Sequence, residues 1–399
     1  MNRNIERLAQ IATKEKRLIL GLMSGTSLDG LDLALCECDG SGLQTKISLL
    51  QFKTVAYHDA FRKKIRAVFA QKDAPLEMVC QLNTLLGIMH AQIINSTLRE
   101  WQYENKAVDL IASHGQTIFH SPQASYGKND EMNSTLQIGD GDQIAFHTGI
   151  ITLSDFRQKH VAAGGEGAPL SVYGDFLLYS DSQEEVFMVN IGGISNFTYL
   201  PAGASFEKVI TTDTGPGNTL MNEWCELKFS QPFDEAGQIA AQGTANPHLL
   251  NLMNENTFFQ TALPASTGPE TFSLNWLFKC LEATASSISN EDIMATLNLF
   301  TAETLIKAIE IFRRKETNTK LIFSGGGIHN HTLMQHISNV YTTLEKNVVI
   351  QYLDEADAKE AMLFAMLANE AVAGHPNESF GNGSKASPAV SFGKICMPG

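Results

Sequence analysis

The chain has 399 residues and a formal charge of −14, from 29 Lys and Arg against 43 Asp and Glu. Charged residues make up 18% of it, below the roughly 25% usual for globular domains, so the acidity reflects scarce cations and not acidic blocks. This balance excludes a basic nucleic-acid surface, and the longest apolar runs fall short of the ~18–20 residues of a membrane span. The six cysteines form no disulfide framework, and Cys36 and Cys38 share a strand face as packing residues. A cytoplasmic, globular protein of two or three domains is expected, with small molecules as partners and neither nucleic acid nor membrane among them.

Residues 1–16 read as a polar surface helix without the apolar stretch of a secretory signal. An apolar run, Leu18 to Met23, then meets a Ser-Gly-Thr-Ser-Leu-Asp-Gly turn and returns as the alternating run Leu31 to Cys38, which predicts a hairpin. A third strand is expected over Ile47 to Tyr57 and helix from Ala60 to Trp101, broken near Asp73 to Pro75. Val108 to Ala112 reads as a buried strand ending in Ser113-His114-Gly115-Gln116, and Ile150 to Leu153 as one running into a loop at Asp155-Phe156-Arg157. A second hairpin is predicted at 186–200, a third strand at Lys208 to Thr212 ending at Asp213, and helices at Asn218 to Leu227, Asp234 to Gln242 and within Ser273 to Lys315. Leu321 to Phe323 is a strand entering Ser324-Gly325-Gly326-Gly327, with a helix from Asn330. The last helix is Ala356 to Val372, and the Gly/Asn/Ser-rich tail after it is expected to be a mobile loop.

The order hairpin, third strand, helix, strand occurs twice. It predicts a duplicated α/β architecture with a cleft between the halves. Residues 17–150 with 357–399 are expected to form the first domain and residues 151–356 the second.

No Walker A motif is present, and no G-x-G-x-x-G opens a helix after the first strand. Three glycine turns follow apolar strands instead: Gly25-Thr26-Ser27, Gly192-Gly193 and Gly325-Gly326-Gly327. Glycine admits close backbone approach, successive N–H groups in such turns make anion-binding concavities, and a turn before a helix adds that helix's amides. Three such turns at strand ends, two of them on related hairpins, point to a nucleotide. Asp213, at a strand end before Thr214-Gly215-Pro216-Gly217-Asn218, suits a general base and equally a turn cap. Asp29 and Asp32 flank the first tip and suit either Mg²⁺ or turn chemistry. Arg157 suits a carboxylate or phosphate or a structural role. His114, His120, His329 and His331 lack metal-ligand spacing, and Glu360 complements a helix N-terminus.

Taken together, GLMSGTSLDGLDLAL, SHGQTIFH, LQIGDGDQIA, DFR with AAGGEGAPL, VNIGGISN, DTGPGN, SGGGIHN and KEAMLFAMLA resemble the anhydro-N-acetylmuramic acid kinase family over about residues 18–370. The resemblance implies the acetate and sugar kinase/Hsp70/actin (ribonuclease H-like) fold. It implies conversion of 1,6-anhydro-N-acetylmuramic acid, ATP and water into N-acetylmuramic acid 6-phosphate and ADP, with ring opening coupled to phosphoryl transfer. On this resemblance Asp213 is the general base, and Arg157, Glu360 and His114 meet the sugar. Gly25, Thr26, Ser27, Leu28, Asp29, Gly30, Leu31 and Asp32 form one ATP phosphate segment, Gly192 and Gly193 the second, and Gly325, Gly326 and Gly327 the adenosine turn. Mg²⁺ accompanies the nucleotide, with Asp29 as its candidate ligand, and a homodimer is implied. His160 and Glu166 stand where the family pattern has Asp and Gln. A kinase for another small sugar or carboxylate, and a nucleotide-dependent protein clamp, are the competing readings. The clamp lacks a separate peptide-binding domain.

Overall fold

The computed structural model describes residues 2–25, 28–123, 132–203, 205–284, 287–344, 347–353, 358–374 and 389–399. In chain order the elements are α1 (Arg3–Ala12), β1 (Lys16–Ser24), β2 (Gly30–Asp39), β3 (Lys46–Ala56), α2 (Asp59–Arg66), α3 (Leu76–Glu100), β4 (Leu110–Ser121), β5 (Ser134–Ile138), α4 (Gly141–Thr148), β6 (Ile151–Ser154), α5 (Phe156–Ala162) and α6 (Ser171–Tyr179). They continue with β7 (Glu185–Ile191), β8 (Ile194–Leu200), β9 (Ile210–Pro216), α7 (Asn218–Phe229), α8 (Pro247–Asn254), α9 (Leu274–Thr284), α10 (Asn290–Phe312), β10 (Thr319–Ser324), α11 (His331–Leu344), β11 (Val348–Tyr352), α12 (Lys359–Ala373) and β12 (Lys394–Cys396). Two compact units result: Met1–Leu178 with Asp357–Gly399, and Tyr179–Ala356. The division therefore falls at 178/179 and not at 150. Ile151–Ser154 is the cause, because it pairs in parallel with β4 and so belongs to the first sheet.

Each unit carries the same sheet topology. In the first, the order is β12-β6-β4-β1-β2-β3, with β5 paired to β4. β1, β2 and β3 form an antiparallel meander, and β1, β4 and β6 run parallel. In the second, the order is β11-β10-β7-β8-β9, again a meander of three joined to parallel β10 and β11. The central strands β1 and β7 are buried almost throughout, as parallel neighbours covered on both faces require. The edge strands β3 and β11 alternate half-buried with exposed positions. This shared order is the duplicated α/β architecture that the repeated sequence pattern predicts.

In the first unit, α12 returns across the central strand β1. A Cβ at Gly21 would sit 1.9 Å from the Ala361 carbonyl oxygen, so only glycine lets strand and helix backbones approach this closely. Buried Arg17 fastens the far end, donating from Nε to Asn369 Oδ1 at 2.6 Å. Glu370 accepts from Gly42 N at 2.9 Å and from Thr45 Oγ1 at 2.8 Å. In the second unit a fully buried carboxylate, Glu185, ties three elements together. It accepts from Tyr199 Oη at 2.8 Å, Thr319 Oγ1 at 2.9 Å and the Arg314 amide at 3.0 Å, which satisfies a group that is otherwise expensive to bury. The hydrophobic core of this unit includes Trp224, Phe187, Phe197, Phe300 and Phe323.

Five local expectations are corrected. β4 does not end at Ala112; it runs on to Ser121 through a register shift against β1 between Leu22 and Ser24, accommodated by Gly115 at φ 74°. β9 spans Ile210–Pro216, so Asp213 lies inside the strand and not at its end. The segment after Asp155 is the short helix α5 and not a loop. Asp234 to Gln242 is two 3-10 turns, Glu235–Gly237 and Ala240–Gln242. The Asp234 carboxylate there takes the N–H groups of Ile239 and Ala240 at 2.8 and 3.0 Å, bonds that an α-helical ladder would claim. The third glycine turn leads into a 3-10 turn, Gly326–His329, and α11 begins only at His331, so the glycine amides are not that helix's first turn. The expected mobile tail (375–388) lies outside the described residues.

The Gly21 contact makes a stability prediction. Gly21→Ala forces backbone against backbone and is expected to cost about 3 kcal/mol or more, read as a fall of several degrees in Tm. An unchanged Tm would show that β1 and α12 can separate without penalty.

Candidate active site

The first unit collects its candidates at the ends of β1, β4 and β6. The β4 bulge re-aims His114 and buries it to 3% exposure. Its Nδ1 bonds the Gly115 carbonyl oxygen at 2.9 Å, and its Nε2 accepts from Arg157 Nε at 2.8 Å. Nδ1 therefore carries the single proton. Burial, and then the neighbouring Arg157 charge, push the His114 pKa down to about 3. A neutral imidazole is the only form that can accept from a guanidinium, so the two residues fix each other. Arg157 Nη1 also donates to the Gly167 carbonyl oxygen at 2.8 Å, while Nη2 makes no hydrogen bond to the described residues. Burial lowers the Arg157 pKa and Glu360 offsets part of this.

Glu360 sits in the first turn of α12. It keeps an exposed surface, yet the surrounding protein raises its pKa, against the pull of Arg157 and with a further push from Asp32. Arg157, Glu360 and Asp32 therefore share one electrostatic neighbourhood. Asp155, just before α5, adopts φ 55°, a strained conformation for a residue with a Cβ, and Lys394 Nζ reaches its Oδ2 at 2.7 Å.

At the first hairpin tip, Leu28 N bonds Gly25 O at 3.3 Å and Tyr57 N bonds Asp29 O at 2.9 Å. Leu28 is buried at φ 61°, and Gly30 lies where a Cβ would meet Val55 O at 2.6 Å. Thr26 and Ser27 lie outside the described residues. Leu31 is buried in the core and Asp32 accepts from Thr54 Oγ1 at 2.6 Å. Behind this tip runs a buried chain that the sequence did not reveal. His90 Nε2 meets Tyr57 Oη at 2.8 Å, Tyr57 Oη donates to Ser24 Oγ at 2.9 Å, and Ser24 Oγ donates to Gln116 Oε1 at 2.6 Å. Gln116 Nε2 then donates to Gly25 O at 3.1 Å. With the Tyr57 proton on Ser24, His90 must donate from Nε2. Burial holds its pKa down at about 3, so it stays neutral. The chain has one direction and ends on the turn.

Mg²⁺ usually takes one or two carboxylates plus phosphate and water. Exposed Asp29 and half-buried Asp32 are donors of that kind. Among the described residues no group of three or more His, Cys, Asp or Glu forms a dedicated metal cage. Two carboxylates of this kind fit a Mg²⁺ carried by a nucleotide.

In the second unit two of the predicted glycine turns meet. Gly217 N and Asn218 N donate to Gly193 O and Gly192 O at 2.9 and 2.8 Å, and Asn218 Nδ2 donates to Ile191 O at 3.1 Å. The carbonyls of 191 and 192 thus face α7. Because a peptide's C=O and N–H point opposite ways, the N–H groups of Gly192 and Gly193 point away from it. Gly325, at φ 85°, and Gly327 press on this same corner; Cβ atoms there would lie 2.7 Å from Ile191 O and 2.2 Å from Ile191 Cγ2. Gly326 alone of the three has room, with Asn218 Nδ2 its nearest neighbour at 3.6 Å. Directly beyond, a cavity of about 470 Å³ is lined by Ile328, His329, His331, Met334, Gln335, Ser338 and Tyr352.

Asp213 lies on the edge strand of this sheet. The register shift between β8 and β9 leaves Thr214 as the extra residue, a bulge beside Asp213. Thr267 N donates to Asp213 Oδ2 at 2.7 Å, while Oδ1 makes no hydrogen bond to the described residues. Burial raises the Asp213 pKa and the Thr267 amide draws it partly back. One oxygen is held and the other is open on a carboxylate of increased basicity, which is the arrangement a general base needs.

The anhydro-N-acetylmuramic acid kinase family model matches residues 17–398. The chain is 45% identical to the anhydro-N-acetylmuramic acid kinase of Pseudoalteromonas atlantica, with 100% of both chains covered. It is 44% identical to that of Pseudoalteromonas translucida, with 99% of both covered, and 39% identical to that of Caldanaerobacter subterraneus subsp. tengcongensis, with 98% of this chain and 100% of the relative covered. The chain belongs to the anhydro-N-acetylmuramic acid kinase family.

Proposed function

We propose that this protein converts 1,6-anhydro-N-acetylmuramic acid, ATP and water into N-acetylmuramic acid 6-phosphate and ADP, a step of cell-wall (peptidoglycan) recycling carried out in the cytoplasm, with the protein acting as a homodimer. The observation that carries the substrate is the full-length match at 45% identity. Asp213 removes a proton from water, and the water oxygen bonds the anomeric carbon as the bond from that carbon to O6 breaks. The electron pair left on O6 attacks the γ-phosphorus, and ADP leaves. Positioning and charge neutralisation do most of the work in such a transfer.

The first unit supplies the Gly25–Asp32 turn for phosphates, and Arg157, steadied by His114, for the substrate carboxylate, with Glu360 on the sugar hydroxyls. The second supplies Asp213, the outward amides of Gly192 and Gly193 for phosphate, and the cavity after Gly327 for the adenosine. Asp29 and Asp32 would hold Mg²⁺, which would supply charge neutralisation at the phosphates.

Asp213→Asn is expected to lower kcat at least about 100-fold, the lower end of general-base contributions, while ATP binding stays within about twofold. Near-normal turnover would refute the base assignment. Because burial raises the Asp213 pKa, the acid limb of kcat should lie above the ordinary aspartate value of about 3.9. Activity is then lost as pH falls through that limb, and Glu360→Gln tests whether the second raised carboxyl contributes. ADP release should require the anhydro sugar, and ¹⁸O from labelled water should appear at the anomeric carbon. Release with ordinary N-acetylmuramic acid alone would overturn coupled hydrolysis. Tyr57→Phe, which cuts the chain behind Gly25, should raise KM for ATP several-fold and leave KM for the sugar unchanged. Equal rises in both would make the chain a general stabiliser.

A further inference from the structure

One short helix grips a single glycine residue from both sides. Arg157 and His160 lie about one turn apart on α5 and so share a face. His160 Nδ1 accepts the Gly167 N–H at 2.9 Å, and the Gly167 carbonyl oxygen accepts from Arg157 Nη1 at 2.8 Å. Gly167 itself is buried at φ 87°, where a Cβ would lie 2.9 Å from Thr135 Cγ2, so the residue has no latitude to shift.

The His160 ring is as constrained as the glycine. It is fully buried, edge-on to Tyr173 with centroids 6.1 Å apart, and nearly parallel to Phe392 at 6.5 Å. Phe392 packs edge-on against Tyr173 at 4.7 Å. It belongs to the C-terminal segment that β12 joins to the edge of β6, and two residues later Lys394 holds Asp155 at the start of α5. The C-terminal strand thus braces both ends of the helix that carries Arg157.

We propose that His160 is a positioning residue for substrate binding. It locks Gly167 so that the glycine carbonyl, together with His114, holds the Arg157 guanidinium in the one orientation that presents Nη2 to the substrate's carboxylate. The proposal rests on the reading of Arg157 as the carboxylate contact. A long flexible side chain loses much rotamer freedom on binding a ligand, and two prior hydrogen bonds remove most of that loss in advance. Without an acceptor at His160 Nδ1, a buried N–H is stranded, and the loop must turn to satisfy it, taking the carbonyl away from Arg157.

The test compares two substitutions. His160→Asn keeps an acceptor close to the Nδ1 position, and His160→Phe keeps the ring and loses the acceptor. The phenylalanine variant is expected to raise KM for the anhydro sugar about tenfold, the scale of one stranded hydrogen bond, with KM for ATP unchanged. The asparagine variant should return the sugar KM to near the parent value. In an Arg157→Ala background, His160→Phe should raise the sugar KM no further, because the histidine acts through the arginine. If the two His160 variants behave alike, if KM for ATP rises in step, or if the effects simply add, His160 is a packing residue and the proposal fails. An Arg157→Ala variant with an unchanged sugar KM would instead remove the underlying reading of Arg157. Should the phenylalanine variant not fold, His160→Gln, whose acceptor falls at the Nε2 position, takes its place with the same expectation.

Discussion

Arg157 Nε donates to His114 Nε2 across 2.8 Å, and much of the first unit is arranged around that contact. It requires a neutral imidazole with its proton on Nδ1, hence a carbonyl at Gly115 to take that proton, hence a left-handed glycine and a bulge in β4. It requires burial deep enough to keep the histidine neutral, which α12 supplies by laying Phe364 against the ring at 4.8 Å. That helix can lie so close only because Gly21 has no side chain. The sequence features from Gly21 to Phe364 are consequences of aiming one cation.

One cation matters because the chain carries so few. With a charge of −14, a basic surface is not available for anionic ligands. The two units meet this constraint by a common device. In each, the strand topology places a glycine turn at the tip of the first hairpin, and neighbouring groups occupy its carbonyls. Gln116 Nε2 takes that of Gly25, and Gly217 and Asn218 take those of Gly193 and Gly192. In the second unit the amides of Gly192 and Gly193, opposite the occupied carbonyls of Ile191 and Gly192, are thereby fixed in direction, and a preorganised dipole loses nothing to reorientation. An anion met by such amides would be held by backbone geometry, which net charge does not oppose strongly at short range.

The sequence made this much of the structure legible: the hairpins, the glycine turns and the repeated order of elements all carry local signals, because period-two apolar runs and glycine positions are set by the chain itself. What was not legible is long-range. His160 and Gly167 are seven residues apart, yet nothing in HVAAGGEG announces that a ring nitrogen will take that amide. Tyr57, His90, Ser24 and Gln116 come from four separate elements and meet only when the sheet closes. The sequence reads Asp213 as the end of a strand, whereas it lies inside β9. The bulge at Thr214 depends on how β8 registers with β9, and register is decided by pairing partners and not by a single strand.

The same distinction bears on α5. Its seven residues are too few for a helix to be stable by propensity, and the Asp155 conformation that opens it is unfavourable for a residue with a Cβ. Both are held by what packs around them: Lys394 on Asp155, Phe392 on His160, the Gly167 peptide between His160 and Arg157. A segment that reads as a loop therefore becomes a helix because distant residues compel it. Strain concentrated beside Arg157 is tolerable only where the surroundings over-determine the geometry. The C-terminal strand is what over-determines it here, which makes the last residues of the chain part of the machinery that orients Arg157.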